Sequence, residues 1–299
     1  MAALMCSAWI LACAGSPLHE GSAPSDYERD LSEAQTGLLR ATSRVERLAW
    51  RDRVASLTGD VEDLEAFERA LTDAIEHWGP ARILIERRAR FQLHVHRPSE
   101  ARRDWEWLHR HARPGQTPDR GIGVDLVAAE GHVDDALASC EELVRTRGRW
   151  EDFARLADLL AMKGERSAAD LAYAQAGELI GAKEMRTYAW LELQRGLLDW
   201  RAADLDLALE HYRRADAAYS GHWLTQEHIG EALAALGRDE EARFHYRRSL
   251  RGTRKPQVLR AYADLIESVD PRQATTLRVE AELRARRTRE LYAGLLHPS

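Results

Sequence analysis

The sequence predicts an all-α protein, a right-handed solenoid of about seven helix-turn-helix repeats. The first observation is a spacing of 34 residues, at which Gly196 recurs as Gly230 and the run His211–Arg214, HYRR, recurs at 245–248. The second observation is that the same turn-and-helix shape recurs upstream and downstream of this stretch. A fixed period of this length is typical of stacked helical hairpins, in which each unit buries its apolar face against its neighbours.

The other units are recognised by a turn that is followed by a small or apolar residue at an equivalent position. The intervals between these positions range from 32 to 39 residues. The positions are Leu64, Ala101, Ala136, Ala169, Ala208, Ala242 and Ala274. Seven hairpins are therefore expected over residues 44–292.

The pattern resembles the tetratricopeptide repeat (TPR), which has a small residue in its first helix and an alanine and an aromatic residue in its second. Gly196 and Gly230 lie inside first helices, where glycine costs about 1 kcal/mol relative to alanine. We therefore expect another helix to approach each of them closely. In the first unit Asp52 replaces the small residue and Glu68 the aromatic one, which indicates a degenerate capping repeat.

The N-terminus has the features of a processing signal. Its apolar stretch is too short to span a bilayer, and the run Ile10, Leu11, Ala12, Cys13 resembles the lipobox of bacterial lipoproteins. That resemblance implies lipidation of Cys13 and attachment to the bacterial cell envelope, with the outer membrane favoured. The alternatives are a soluble periplasmic protein or a cytoplasmic one.

The chain is accordingly divided into four parts. They are a leader at 1–13, a flexible tether at 14–43 that is rich in Gly, Ser and Pro, the TPR-like domain at 44–292, and a C-terminal tail at 293–299.

No catalytic motif is found, so no enzyme, cofactor or small-molecule substrate is expected. A net charge of −6 argues against nucleic acid, which needs a basic face. The segment 92–115 contains four histidines, His94, His96, His109 and His111. Within each pair the side chains are two residues apart and so point to opposite faces of a helix, which does not favour a metal site. A metal-dependent enzyme built on this segment is the weakest alternative.

The TPR resemblance implies that the first helices line a concave groove, which is basic at Arg53 and Arg90 and acidic further along. The candidate partner-binding residues are Trp190, Leu193, Leu197 and Trp200, which share one helical face, together with Asp158, Glu227 and Glu231. The apolar patch would hold an anchor of the partner and the acids would pair with its basic residues. The alternative is that this face is core.

These features favour a non-enzymatic scaffold that presents its groove to a protein or peptide partner. By analogy with TPR lipoproteins, an assembly or pilotin-like role in the cell envelope is expected. An unlipidated regulatory module, cytosolic or periplasmic, is the alternative.

Overall fold

The structure is a computed structural model that describes residues 23–293, and in this range fifteen helices follow one another. Helix α1 (Asp26–Arg40) comes first. The seven hairpins are α2 (Arg44–Thr58) with α3 (Val61–Trp78), α4 (Arg82–His94) with α5 (Pro98–Arg110), α6 (Arg120–Ala129) with α7 (Val133–Thr146), α8 (Trp150–Met162) with α9 (Arg166–Glu178), α10 (Met185–Arg201) with α11 (Leu205–Ala218), α12 (Trp223–Ala235) with α13 (Asp239–Gly252), and α14 (Pro256–Ile266) with α15 (Pro271–Leu291). The predicted all-α repeat solenoid is confirmed.

Each of the two best-preserved hairpins is held by a tyrosine ring that lies on a glycine. A Cβ atom added to Gly196 would be 2.6 Å from Cδ1 of Tyr212, and one on Gly230 would be 3.0 Å from Cδ2 of Tyr246. Both tyrosines are buried. The expected close approach is therefore present, and it is made by the aromatic ring of the second helix.

The histidines of the repeated HYRR runs bind the first helix of their own hairpin. Nδ1 of His211 is 2.8 Å from Oε2 of Glu192, and Nδ1 of His245 is 2.9 Å from Oε1 of Gln226. His211 is only 4% exposed, so it does not belong to a solvated outer stripe. The repetition of this histidine is explained by an interhelical hydrogen bond at the same place in both units.

The first helices lie on the inner side of the curved array. Helices α4 and α6, α6 and α8, and α12 and α14 touch each other across successive hairpins. A bend of the array toward the first helices brings such helices into contact. The first helices are therefore the candidate lining of a concave face.

The array closes on itself, because the first hairpin packs against the last two. The indole Nε1 of Trp223 donates to the carbonyl of Leu57 at 2.8 Å, and Oγ1 of Thr253 donates to Oδ1 of Asp60 at 2.7 Å. We call this junction the seam. It turns the solenoid into a closed cycle of seven hairpins.

The first hairpin is not a free capping unit, so the expectation drawn from Glu68 is wrong. Tyr292 donates its hydroxyl to Oε2 of Glu68 at 2.7 Å, and Nη1 of Arg97 binds Oε1 at 2.7 Å. Phe67 packs with Tyr292 in one apolar cluster. The Glu68 carboxylate, which replaces the aromatic residue of the repeat, therefore binds side chains at the seam.

The segment Asp26–Arg40 is a helix, so the prediction of a flexible tether is wrong for this part of 14–43. The helix begins with a capping box, in which the side chains of Ser25 and Glu28 satisfy each other's backbone N–H groups. Tyr27 is buried and donates to the carbonyl of Gly252 at 2.9 Å. Helix α1 is thus part of the seam, whereas residues 14–22 lie outside the described range.

None of the helices within residues 23–293 has both the length and the hydrophobicity that crossing a membrane requires.

Replacing Gly196 with alanine should destabilise the protein. The new methyl group meets the buried Tyr212 ring, and overpacking of this kind costs about 1–3 kcal/mol. Gly177 in α9 is the matched control, because its Cβ would make only ordinary contact, 3.5 Å from Cε2 of Tyr188. Gly177→Ala should stabilise by up to about 1 kcal/mol. Urea unfolding measures both, and equal effects would contradict the assigned role of Gly196.

Candidate partner-binding groove

The four apolar residues predicted on α10 do not form one exposed patch. Leu193 is only 2% exposed and lies in the main core with Tyr212, so its assignment as a contact residue is wrong. Leu197 is half-buried, and Trp200 is half-buried against the same core. Trp190 is 37% exposed and remains available to a partner. A helix packed between neighbouring hairpins has two covered faces, which explains why most of this stripe is core.

Asp158 is an exposed residue of α8 whose carboxylate lacks a cationic partner within residues 23–293. The nearby Arg155 instead pairs with Asp125, with Nε 2.5 Å from Oδ1. Partial desolvation by surrounding protein raises the pKa of Asp158 to about 6, although a hydrogen bond from Tyr173 opposes the rise. Asp158 is therefore a carboxylate on the first helix α8 without a cationic partner among the described residues.

Glu227 and Glu231 lie one helical turn apart on α12. The pKa of Glu227 is raised, first by burial and to a smaller extent by repulsion from Glu231. Glu231 accepts a contact from Nδ1 of His228 at 3.1 Å. We call Asp158, Glu227 and Glu231 the acidic arc, since they lie on the first helices α8 and α12.

The basic residues predicted at the start of the groove are neutralised inside the protein. Nη2 of Arg53 is 2.9 Å from Oδ2 of Asp30, which belongs to α1. Arg90 pairs with Asp119. These two arginines therefore contribute little net charge to the groove.

A second site lies at the seam and was not predicted from the sequence. We call it the seam cavity, a space of about 80 Å³. Its lining includes Gly59, Asp60, His94, Arg254, Lys255 and Arg284. These residues come from distant parts of the chain, so no local sequence motif predicts the site.

Two groups in the seam cavity are held toward their neutral forms. Burial lowers the pKa of Lys255, whose Nζ lies 4.7 Å from the centre of the Trp223 ring. Burial, and then repulsion from Lys255, lowers the pKa of His94. Both groups therefore favour the approach of an anion.

The histidine segment does not assemble a metal centre. His109 lies edge-on to Trp105, with ring centres 4.5 Å apart, and His111 stacks on Trp107 at 4.2 Å. Within residues 23–293, no three His, Cys, Asp or Glu side chains are arranged to hold a metal ion. Cys140 is fully buried, which raises its thiol pKa to about 12. Cys13 lies outside the described residues.

The sequence matches no family model and no curated protein. Among solved structures, the chain is similar to MamA, with 15% identity, 58% of this chain and 99% of that chain covered, and a TM-score of 0.47. It is also similar to the APC/C heterotetramer Cut9–Hcn1, with 17% identity, 89% and 55% covered, and a TM-score of 0.54. YrrB, described as a TPR protein with an unusual peptide-binding site, shares 14% identity over 54% of this chain and 82% of that chain, with a TM-score of 0.40.

At such low sequence identities, the similarity to these structures shows the fold alone. The helical hairpins, their alanines and the tyrosines packed on glycines define a repeat protein of the TPR class. The chain accordingly has the tetratricopeptide-repeat fold, as its sequence pattern predicted.

The Asp158 carboxyl group should titrate near pH 6, well above its ordinary value. The hydroxyl of Tyr173 stabilises the ionised form, so Tyr173→Phe should raise the pKa of Asp158 further. Asp158 should therefore ionise at a higher pH in this variant. Carbon-13 NMR of the side-chain carboxyl, followed against pH, measures both values. An unchanged or lower pKa in Tyr173→Phe would contradict the hydrogen bond.

Proposed function

We propose that this protein is a non-enzymatic scaffold that binds a segment of a partner protein along its inner surface, with basic residues of the partner on the acidic arc. The observation that carries the proposal is the set of carboxylates on α8 and α12. Asp158 and Glu227 are partly desolvated by surrounding protein, and neither is paired with an arginine or lysine within the described residues. The TPR fold supports the wider role as an interaction scaffold.

The physical reason is electrostatic. A carboxylate that is removed from water without a cationic partner is disfavoured, and its pKa rises. A lysine or arginine of the partner would supply the missing charge, and such charge-assisted hydrogen bonds are stronger than neutral ones. Binding should therefore strengthen as the pH rises through about 6, where Asp158 ionises.

The apolar contribution of the groove rests on Trp190. Its ring is partly exposed on α10, close in sequence to residues that are core. Aromatic side chains supply a large share of the binding energy in protein interfaces. Trp190 is therefore the residue of the predicted apolar set that we retain as a partner contact.

We further propose that the scaffold is tethered to the bacterial cell envelope, preferably the outer membrane, through a lipid on Cys13. The support is the sequence alone, in the run Ile10, Leu11, Ala12, Cys13 that follows an apolar stretch. A role in the assembly of envelope proteins, as in pilotin-like lipoproteins, is an analogy of architecture. A soluble scaffold in the cytoplasm or periplasm is the competing arrangement.

The acidic arc is tested by the triple variant Asp158→Asn, Glu227→Gln, Glu231→Gln. Photo-crosslinking from a benzoylphenylalanine at the half-buried Leu197, in extracts of the native cell, should capture a partner at wild-type charge. Loss of the three charges should reduce the yield by about tenfold, since three solvent-accessible charged pairs at about 0.5 kcal/mol each sum to about 1.5 kcal/mol.

The matched control changes three exposed acids on second helices, Asp206→Asn, Glu210→Gln and Glu240→Gln. It removes the same formal charge from the outer side of the array. Equal loss of crosslinking in both triple variants would show that net charge, and not the acidic arc, governs capture, and the proposal would fail.

The lipid anchor is tested by growth with radiolabelled palmitate. Wild-type protein should carry the label and sediment with membranes, whereas Cys13→Ser should lose the label and become soluble. Cys6→Ser is the control and should keep both properties. Label that persists in Cys13→Ser would rule out this anchor.

A further inference from the structure

The seam cavity contains one cation that the protein does not neutralise. Arg254 and Arg284 both bind Glu280, with Nε atoms 2.9 Å and 3.0 Å from Oε1 of that carboxylate. Lys255 forms no ion pair with any residue of 23–293. It is half-buried, and it is stacked on Trp223. The arginines are therefore structural, while the Lys255 ammonium group is free to bind a ligand.

The acidic residues of the cavity do not satisfy Lys255. Asp60 accepts hydrogen bonds from Oγ1 of Thr253 at 2.7 Å and from the backbone N–H of Arg254 at 3.3 Å. Glu62 lies 3.5 Å from Nη1 of Arg284. Glu227 of the acidic arc is close enough to influence Lys255 but does not form an ion pair with it. Asp60 and Glu62 are therefore oriented by other partners, and Glu227 is not within ion-pair distance of Lys255.

His94 places a second potential cation at the same cavity. It lies at the end of α4, and the positive charge of Lys255 adds to burial in lowering the pKa of its imidazole. Two like charges that share a small space repel each other, and an anion between them would relieve the repulsion. A cavity of about 80 Å³ has room for one carboxylate group.

An apolar pocket of about 400 Å³ adjoins the seam cavity between α2, α3 and α4. Leu64 and His94 line both spaces, so the two are direct neighbours. The apolar part of the pocket is formed by Ala55, Phe67 and Phe91. Its two arginines are already paired, Arg87 with Asp52 and Arg90 with Asp119. The pocket thus offers an apolar surface next to a lysine that forms no ion pair within the described residues.

We propose that the seam cavity and this pocket bind an acidic side chain and an adjacent apolar side chain of one partner segment, with the carboxylate between Nζ of Lys255 and the His94 imidazole. The inference rests on the proposed function and extends it. Charge complementarity decides the occupant, because the free lysine requires an anion and the apolar surface of the pocket requires a hydrocarbon group. The partner segment is then bipolar, acidic at the seam and basic at the acidic arc.

The chain contains only three lysines, Lys163, Lys183 and Lys255, which makes a direct measurement possible. Protein labelled with carbon-13 lysine should show three side-chain signals by NMR. The probes are peptides that are acetylated and amidated at their ends, with Leu-Glu at one end, Lys-Arg at the other and a series of spacer lengths. The Leu-Glu peptide should shift the Lys255 signal and raise its pKa, while Lys163 and Lys183 remain in place.

The matched peptide carries Leu-Gln in place of Leu-Glu. It should bind about tenfold more weakly and leave the Lys255 signal unmoved. Lys255→Met should make the two peptides bind equally, Lys255→Arg should preserve the difference, and Lys163→Met should have no effect. The NMR readout uses wild-type protein, so it shows whether Lys255 binds the glutamate of the peptide even if a Lys255 variant is unstable.

Three results would overturn the inference. The Lys255 signal could stay fixed while both peptides bind through Lys-Arg, which leaves the acidic arc intact and removes the seam site. A Leu-Gln peptide with a free C-terminal carboxylate could move the signal while the amidated Leu-Glu peptide does not, which would refute a side-chain ligand. Inorganic phosphate could move it as strongly as the peptide, which would assign the cavity to a free anion. Failure of the acidic arc is recognised separately, by Lys-Arg peptides that do not bind.

Discussion

The contact between a tyrosine ring and a glycine sets the distance between the two helices of a hairpin, and the rest of the structure follows from that distance. Tyr212 lies on Gly196 at a spacing that leaves no room for a methyl group, and Tyr246 lies on Gly230 at a spacing that leaves little room for one. Because the helices approach so closely, the histidine beside each tyrosine can reach the first helix. Two neighbouring hairpins with the same internal geometry then stack in the same way, and the array curves regularly.

Closure of the array changes what its inner surface can do. An open solenoid exposes its terminal units to solvent and usually needs polar caps. Here the first hairpin packs against the last two, with Tyr292 on Glu68 and Trp223 of the sixth hairpin on Leu57. Neighbouring protein partly desolvates charged groups of this surface, which raises the pKa of Asp158 and lowers the pKa of Lys255.

The residues that depart from the repeat pattern have local reasons in the closed structure. Asp52, where a small residue is expected, pairs with Arg87 of the next hairpin. Glu68, where an aromatic residue is expected, receives the hydroxyl of Tyr292 and the guanidinium of Arg97. The departure at Asp52 thus forms an ion pair with the adjacent hairpin, whereas the departure at Glu68 marks the position where the first hairpin meets Tyr292.

The sequence by itself determined the class of fold, the number of hairpins and the close approach at Gly196, because these depend on spacings within one or two units. It also contained the capping box of Ser25 and Glu28, although the Gly- and Pro-rich residues before it suggested a tether. Only the tertiary structure decided that Leu193 is core and that His94 and Lys255 share a cavity. The reason is physical: which helical face is covered, and which distant units meet at the seam, depend on curvature accumulated over all seven hairpins.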